Sequence, residues 1–281
     1  MERKLIEGGL VSGALAGLLA FVFARIFAEP LISRAIDYES GRDAAQAALD
    51  KAAGLPVASG GPDLFSRTIQ ADVGIGVAMI FFGAAMGALF AVVYAICLGR
   101  VGRLQPRPLA LLVAAGGFVG FYFVPFVKYP ANPPAIGHEE TIGDRSGLYL
   151  LMVAASLVFL GLSVWVGRRL ARRVGNWTAS LLAGALFLVL VGVVMAILPS
   201  LGELAVNTAT YGRHTTETPL PLRADDGSIV FPGFDADLLY RFRLYSVAAQ
   251  LLLWATIGLA FGPIAERLLR GTRARQVSTV P

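Results

Sequence analysis

The sequence predicts an all-α fold: a polytopic transmembrane helix bundle of about six spans with both termini cytoplasmic. Three observations predict it. Of 281 residues, 56% are hydrophobic and only 15% charged, and the mean hydropathy of +0.67 is far from that of a soluble globular domain. Six apolar stretches approach the roughly 20 residues a helix needs to cross the hydrocarbon core. The connections between them alternate in charge, with arginines in one set and acids in the other.

Taken in order, the spans fall at about 5–27, 73–98, 109–127, 147–167, 179–198 and 246–265. The first follows Arg3 and Lys4 and runs past the ~7–15 apolar residues of a signal peptide, so it reads as a retained helix. Arg100, Arg103 and Arg107 follow the second span, Arg168, Arg169, Arg172 and Arg173 the fourth, and Arg267, Arg270, Arg273 and Arg275 the sixth. Positive residues stay inside, which turns loops 28–72, 128–146 and 199–245 outward. Those loops hold nearly all the acids, Asp63 and Asp72 among them, and both histidines. Residues 1–281 are thus read as a single integral membrane domain.

Tyr129, Tyr149, Trp165 and Trp177 lie where amphipathic rings prefer the headgroup level. Gly9, Gly13 and Gly17 share a helical face, as do Gly83 with Gly87 and Gly116 with Gly120, a spacing that lets helices approach closely in lipid. In the first outward loop "RDAAQAALDKAAG" predicts a short surface helix. In the last, Asp226–Gly227 marks a turn that makes either a small hairpin or an irregular bend.

Catalysis is poorly provided for. The chain lacks an H-E-x-x-H pair, a G-x-S-x-G elbow, a P-loop and a dinucleotide glycine fingerprint, so no enzyme is expected. The single cysteine, Cys97, permits no disulfide within the chain, and the scattered arginines form no nucleic-acid face. Met79, Met86, Met152 and Met195 are isolated in apolar helices and are expected to pack.

The chemistry concentrates in "KYPANPPAIGHEETIGDR", Lys128 to Arg145. Pro130, Pro133 and Pro134 fix φ and push their predecessors toward extended backbone, so the loop is stiff. Beyond them come His138, Glu139, Glu140 and Asp144; His214 and Glu217 in "RHTTET" add ligands if the two loops approach. Imidazole with carboxylate suits borderline divalent cations. The plainer alternative is a polar loop with acids near a helix N-terminus, Asp144 as a cap and Lys128 reaching the headgroups.

"FVKYPANPPAIG…ETIGDR", "ARIFAEPLISRAIDYE" and "FDADLLYRFRLYSVAAQLLLWATIGLAFG" together resemble the CbtA family, described as probable cobalt transporter subunits. The resemblance runs over nearly the whole chain. It marks Lys128, Tyr129, Pro130, Asn132, Pro133, Pro134 and Gly137 in the loop, Glu29 and Pro30 after the first span, and Arg241, Phe242 and Arg243 before the last. It implies a multi-pass protein of the bacterial inner membrane that takes up Co²⁺ for cobalamin synthesis. A small single-span, histidine-bearing subunit, CbtB, is the implied partner, and the cation is cargo rather than a resident cofactor. Two other readings fit the residues: a non-transporting scaffold that docks through the proline loop, and a transporter of another small solute.

Overall fold

The computed structural model describes residues 2–56, 73–102 and 104–278, with side chains through Arg270. Asp63, Asp72 and Arg103 of the topology argument lie outside the described residues, as do the side chains of Arg273 and Arg275. Among the described residues six helices are long and apolar enough to cross a membrane: Glu2–Phe27, Ile75–Cys97, Pro106–Lys128, Glu139–Val174, Asn176–Tyr211 and Ala236–Arg270. Each contains most of one predicted span. The fourth and sixth run past their predicted ends because polar residues at the water boundary continue a helix that lipid no longer requires, whereas the helix of the fifth stops at Ile197, beside its predicted end, and separate short elements follow.

In chain order the helices are α1 (Glu2–Phe27), α2 (Glu29–Ala52), α3 (Ile75–Cys97), α4 (Pro106–Gly117), α5 (Val124–Lys128), α6 (Ile142–Val174), α7 (Asn176–Ile197), α8 (Ala205–Tyr211) and α9 (Ala236–Ser278). The strands are β1 (Leu222–Arg223) and β2 (Ile229–Phe231), paired antiparallel. The chain divides into two compact units. One comprises α1, α3, α4 and α9 from Leu244 onward; the other comprises α2 from Leu31, residues 119–235 and the first turns of α9.

In the first unit, α1 and α3 pack backbone to backbone. A Cβ on Gly9, Gly13 or Gly17 would strike the carbonyl oxygen of Gly87, Gly83 or Met79 respectively, and Gly83 and Gly87 meet Gly13 and Gly9 in return. The contacts descend one helix as they climb the other, so the pair is antiparallel. Close approach maximises dispersion contact where lipid offers no hydrophobic drive. One end of this unit is filled by Phe90, Tyr94 and Phe261, with Phe261 5.1 and 4.9 Å from the other two rings.

In the second unit, residues Phe118–Phe123 form a π-helical turn leading into α5. Pro125 has no N–H, so the carbonyls one helical turn before it lack their usual donor. Hydroxyls from α6 replace it: Ser156 donates to Gly120 O, and Tyr149 Oη reaches Phe121 O at 3.5 Å. Further along the same buried face of α6, Gly167 admits Ala183 of α7, whose Cβ would lie 2.9 Å from a Cβ on that glycine.

α2 is longer than the short helix expected from the alanine-rich stretch, starting at Glu29 directly after α1. Proline is tolerated in a first turn, so Pro30 starts the helix instead of breaking it. Arg34, Asp37, Glu39, Arg42 and Asp43 along its length mark it as a polar surface element. It carries the hairpin: Tyr38 Oη donates to Pro232 O at 2.9 Å, Arg42 to Leu220 O at 2.8 Å, and the Tyr38 ring packs on Phe231 and Phe234. Of the two forms expected at Asp226–Gly227, the hairpin is present; Gly227 takes φ 84° and Asp226 accepts from the Ser228 amide and hydroxyl.

Candidate functional site: the proline loop and its partner loop

The loop after α5 is held by cations bonded mostly to neutral oxygens. Lys128 Nζ donates to Leu198 O at 2.8 Å rather than reaching lipid headgroups, and Tyr129 Oη donates to Pro199 O at 2.9 Å. Arg243 donates to Ala131 O at 3.2 Å and to Asn132 Oδ1 at 2.9 Å. Pro133 to Ile136 close a turn through the Ile136 N–H, with Pro134 at its second position and Ala135 at φ 73°. That φ is costly for alanine, and the bonds on either side hold it there. Gly137 takes φ 137°, and a Cβ on it would lie 3.1 Å from Arg145 Cζ, so only glycine lets this guanidinium cross the loop.

Arg145 leads to the centre of the site, the buried carboxylate of Glu217. Thr141 Oγ1 donates to Glu217 Oε1 at 2.6 Å, Asn207 Nδ2 donates to the same oxygen at 2.7 Å, and Arg145 Nη1 faces Oε2 at 3.3 Å. The last contact is an ion pair without hydrogen-bond alignment, which leaves Oε2 without a hydrogen bond of its own. Asn207 Nδ2 also donates to Leu201 O, so the amide is oriented and its Oδ1 must accept. His138 Nδ1, 2.6 Å from that Oδ1, is therefore the donor, which leaves the lone pair on Nε2. The His138 ring stacks on Tyr211 at 4.0 Å. His214 Nε2 donates to the carbonyl of the same Tyr211 at 2.5 Å, leaving its lone pair on Nδ1.

The two loops therefore do approach one another. His138, His214 and Glu217 come together around Asn207 and Tyr211, whereas Glu139, Glu140 and Asp144 are exposed at the start of the next helix. Thr141, not Asp144, stands at the N-cap position of α6. Burial raises the Glu39 carboxyl above its ordinary range, and the neighbouring Asp43 and Glu139 carboxylates raise it further. Among the described residues no three His, Cys, Asp or Glu side chains form a group that could hold a metal ion. Beside the loop lies a cavity of about 480 Å³ lined by Tyr129, Asn132, Arg145 and Tyr149, among others; none of its lining residues is a carboxylate. Of the matched residues further away, Glu29 and Phe242 are buried and Arg241 is exposed.

Sequence reasoning picked out the histidines and Glu217 by type but missed Asn207, Thr141 and Tyr211, which organise them. Asn207 sits in "AVNTATY", where no spacing distinguishes it.

Six apolar helices joined by polar, internally bonded loops define a multi-pass membrane protein. The family model described as "Probable cobalt transporter subunit (CbtA)" matches residues 2–266, and the chain belongs to that family. A transporter subunit is not a class of enzyme, and the word subunit implies a partner. No curated protein and no solved structure matches the chain.

Proposed function

We propose that this protein is the membrane subunit of a divalent-cation uptake system of the bacterial inner membrane, with cobalt as cargo and cobalamin synthesis as its destination. Both termini face the cytoplasm, and the loops at 128–146 and 199–245 face outward. The observation that carries this reading is the family match, joined to two histidines of the acid-rich loops that both contact Tyr211, one at its ring and one at its carbonyl, each with one bare ring nitrogen.

The acids of the outward loops raise the local concentration of cations. His138 Nε2 and His214 Nδ1 offer borderline ligands, with Glu139, Glu140 and Asp144 nearby. Glu217 holds the two loops in place with its carboxylate, and the remaining ligands come from the partner, a small histidine-bearing single-span subunit of the CbtB kind. The ion then passes inward along hydroxyls such as Ser156 and Ser163. The membrane potential supplies about 2.3 kcal/mol per charge per 100 mV.

Cellular cobalt uptake, measured with the chain and its partner expressed together and apart, tests the assignment. His138→Ala is expected to cut uptake about tenfold or more, and Asn207→Ala, which frees the ring, to approach that loss. Unchanged uptake in both variants, with the protein still in the membrane, removes the loop from transport. The tightly bonded proline loop favours one alternative, a docking surface without transport; it predicts that Asn132→Ala releases the partner on co-purification while His138→Ala leaves it bound.

A further inference from the structure

α6 runs unbroken for 33 residues. At 1.5 Å per residue it is about 50 Å long, well beyond a hydrocarbon core of ~30 Å. Its last turns carry Arg168, Arg169, Arg172 and Arg173. The helix has two different faces near that end. One, with Ser163 and Gly167, is buried, Gly167 lying against Ala183 of α7. The other carries Gly161, Val164, Trp165, Arg168 and Arg172 at three- and four-residue intervals, all exposed.

With Arg169 these residues line a groove of about 720 Å³. Nothing stands within 4 Å of where a Cβ on Gly161 would be, so the groove is open at its apolar end. At the other end the Arg169 guanidinium lies 4.2 Å from the Trp165 ring centroid, held over an indole that is half exposed. Among the described residues none of these arginines is ion-paired with an acid. Arg168 and Arg172 stand one turn apart with like charge, an arrangement that repels unless an anion sits between them. Helix polarity and topology account for arginines at this end of α6. They do not account for an apolar groove leading into three unpaired guanidiniums, about 10 Å from Gly161 to Arg168 along the axis.

We propose that this groove binds one anionic phospholipid, with its acyl chain against Gly161, Val164 and the Trp165 ring and its phosphate forked by Arg168 and Arg172. Guanidinium presents paired donors that match phosphate oxygens, and Arg169 adds charge from its perch on the indole. The site is independent of the metal reading and survives its failure.

The test uses the full chain in vesicles of phosphatidylcholine containing a small fraction of lipid brominated on the acyl chain, either phosphatidylglycerol or phosphatidylcholine. Bromine quenches tryptophan emission at contact, and Trp165→Phe identifies the signal from this groove. In the wild type, brominated phosphatidylglycerol is expected to quench that signal severalfold more effectively than brominated phosphatidylcholine at equal fraction. Arg168→Gln with Arg172→Gln is expected to bring the ratio of the two quenching efficiencies close to one, and Arg168→Lys with Arg172→Lys to retain part of the preference. Equal quenching by the two lipids in the wild type overturns the proposal without any variant. So does a preference that persists in the glutamine variant, or one abolished by inorganic phosphate, which would make the site a receptor for the free ion.

Discussion

A carboxylate with no exposed side-chain surface, two donors on one oxygen and a guanidinium opposite the other is costly to lose. Glu217→Ala strands Thr141, Asn207 and Arg145 together and should destabilise the second unit by about 3–5 kcal/mol. Thermal unfolding of the detergent-solubilised protein measures it; a melt matching the wild type would show that the network holds nothing. Glu217→Gln keeps an acceptor for the two donors and should cost less. Glu39 responds in the opposite sense. Its carboxyl is raised above the ordinary range, so the folded state holds its proton more tightly than the unfolded state, and its contribution to stability fades as pH rises through the folded pKa. Glu39→Gln should therefore raise the melting temperature at neutral pH and lose its advantage as pH falls below the ordinary glutamate value of about 4.3. An advantage independent of pH contradicts the assignment. At this scale the sequence identified chemistry-bearing types but not their partners, because Asn207 lies 69 residues from His138 and only the fold joins them.

The glycine spacing in α1 and α3 was readable as a face because helical geometry is local, and the close contact falls on that face. Gly13→Ala drives a methyl into the Gly83 carbonyl, where no flexible side chain can yield, and should cost about 1–3 kcal/mol of stability. Gly184→Ala in α7, with open space around it, serves as the control and should melt no lower than wild type. Equal melts for the two variants would mean that the α1–α3 approach is not tight. Gly120, from the third spaced pair, lies against Leu157 of α6, and Gly117, which the spacing did not single out, meets the Trp254 ring; the π-turn that follows Gly117 interrupts the four-residue rhythm between the two. Neither the π-turn nor the full length of α2 can be read from composition, since both depend on donors and rings supplied from elsewhere in the chain.

For the molecule as a whole, the bilayer makes the spans legible, since every backbone polar group crossing it must be satisfied within a helix. The division into two compact units was not legible, since each is assembled from separated segments. The orientation can be checked directly. With Cys97→Ser as background, a cysteine at Glu140 should react with an impermeant reagent from outside intact cells, and one at Gly175 only after permeabilisation. The reverse pattern would place the proline loop in the cytosol and end its role as a receiving surface.

The way that loop is fastened has a consequence for ionic strength. Lys128 and Arg243 are anchored on carbonyl and amide oxygens, whereas α2 meets the hairpin end partly through the exposed Arg34–Asp235 pair. Dissolved salt screens paired charges far more than it screens a charge bound to a dipole at contact. Brine should thus slacken the edge of this unit first and leave the prolines standing as they were.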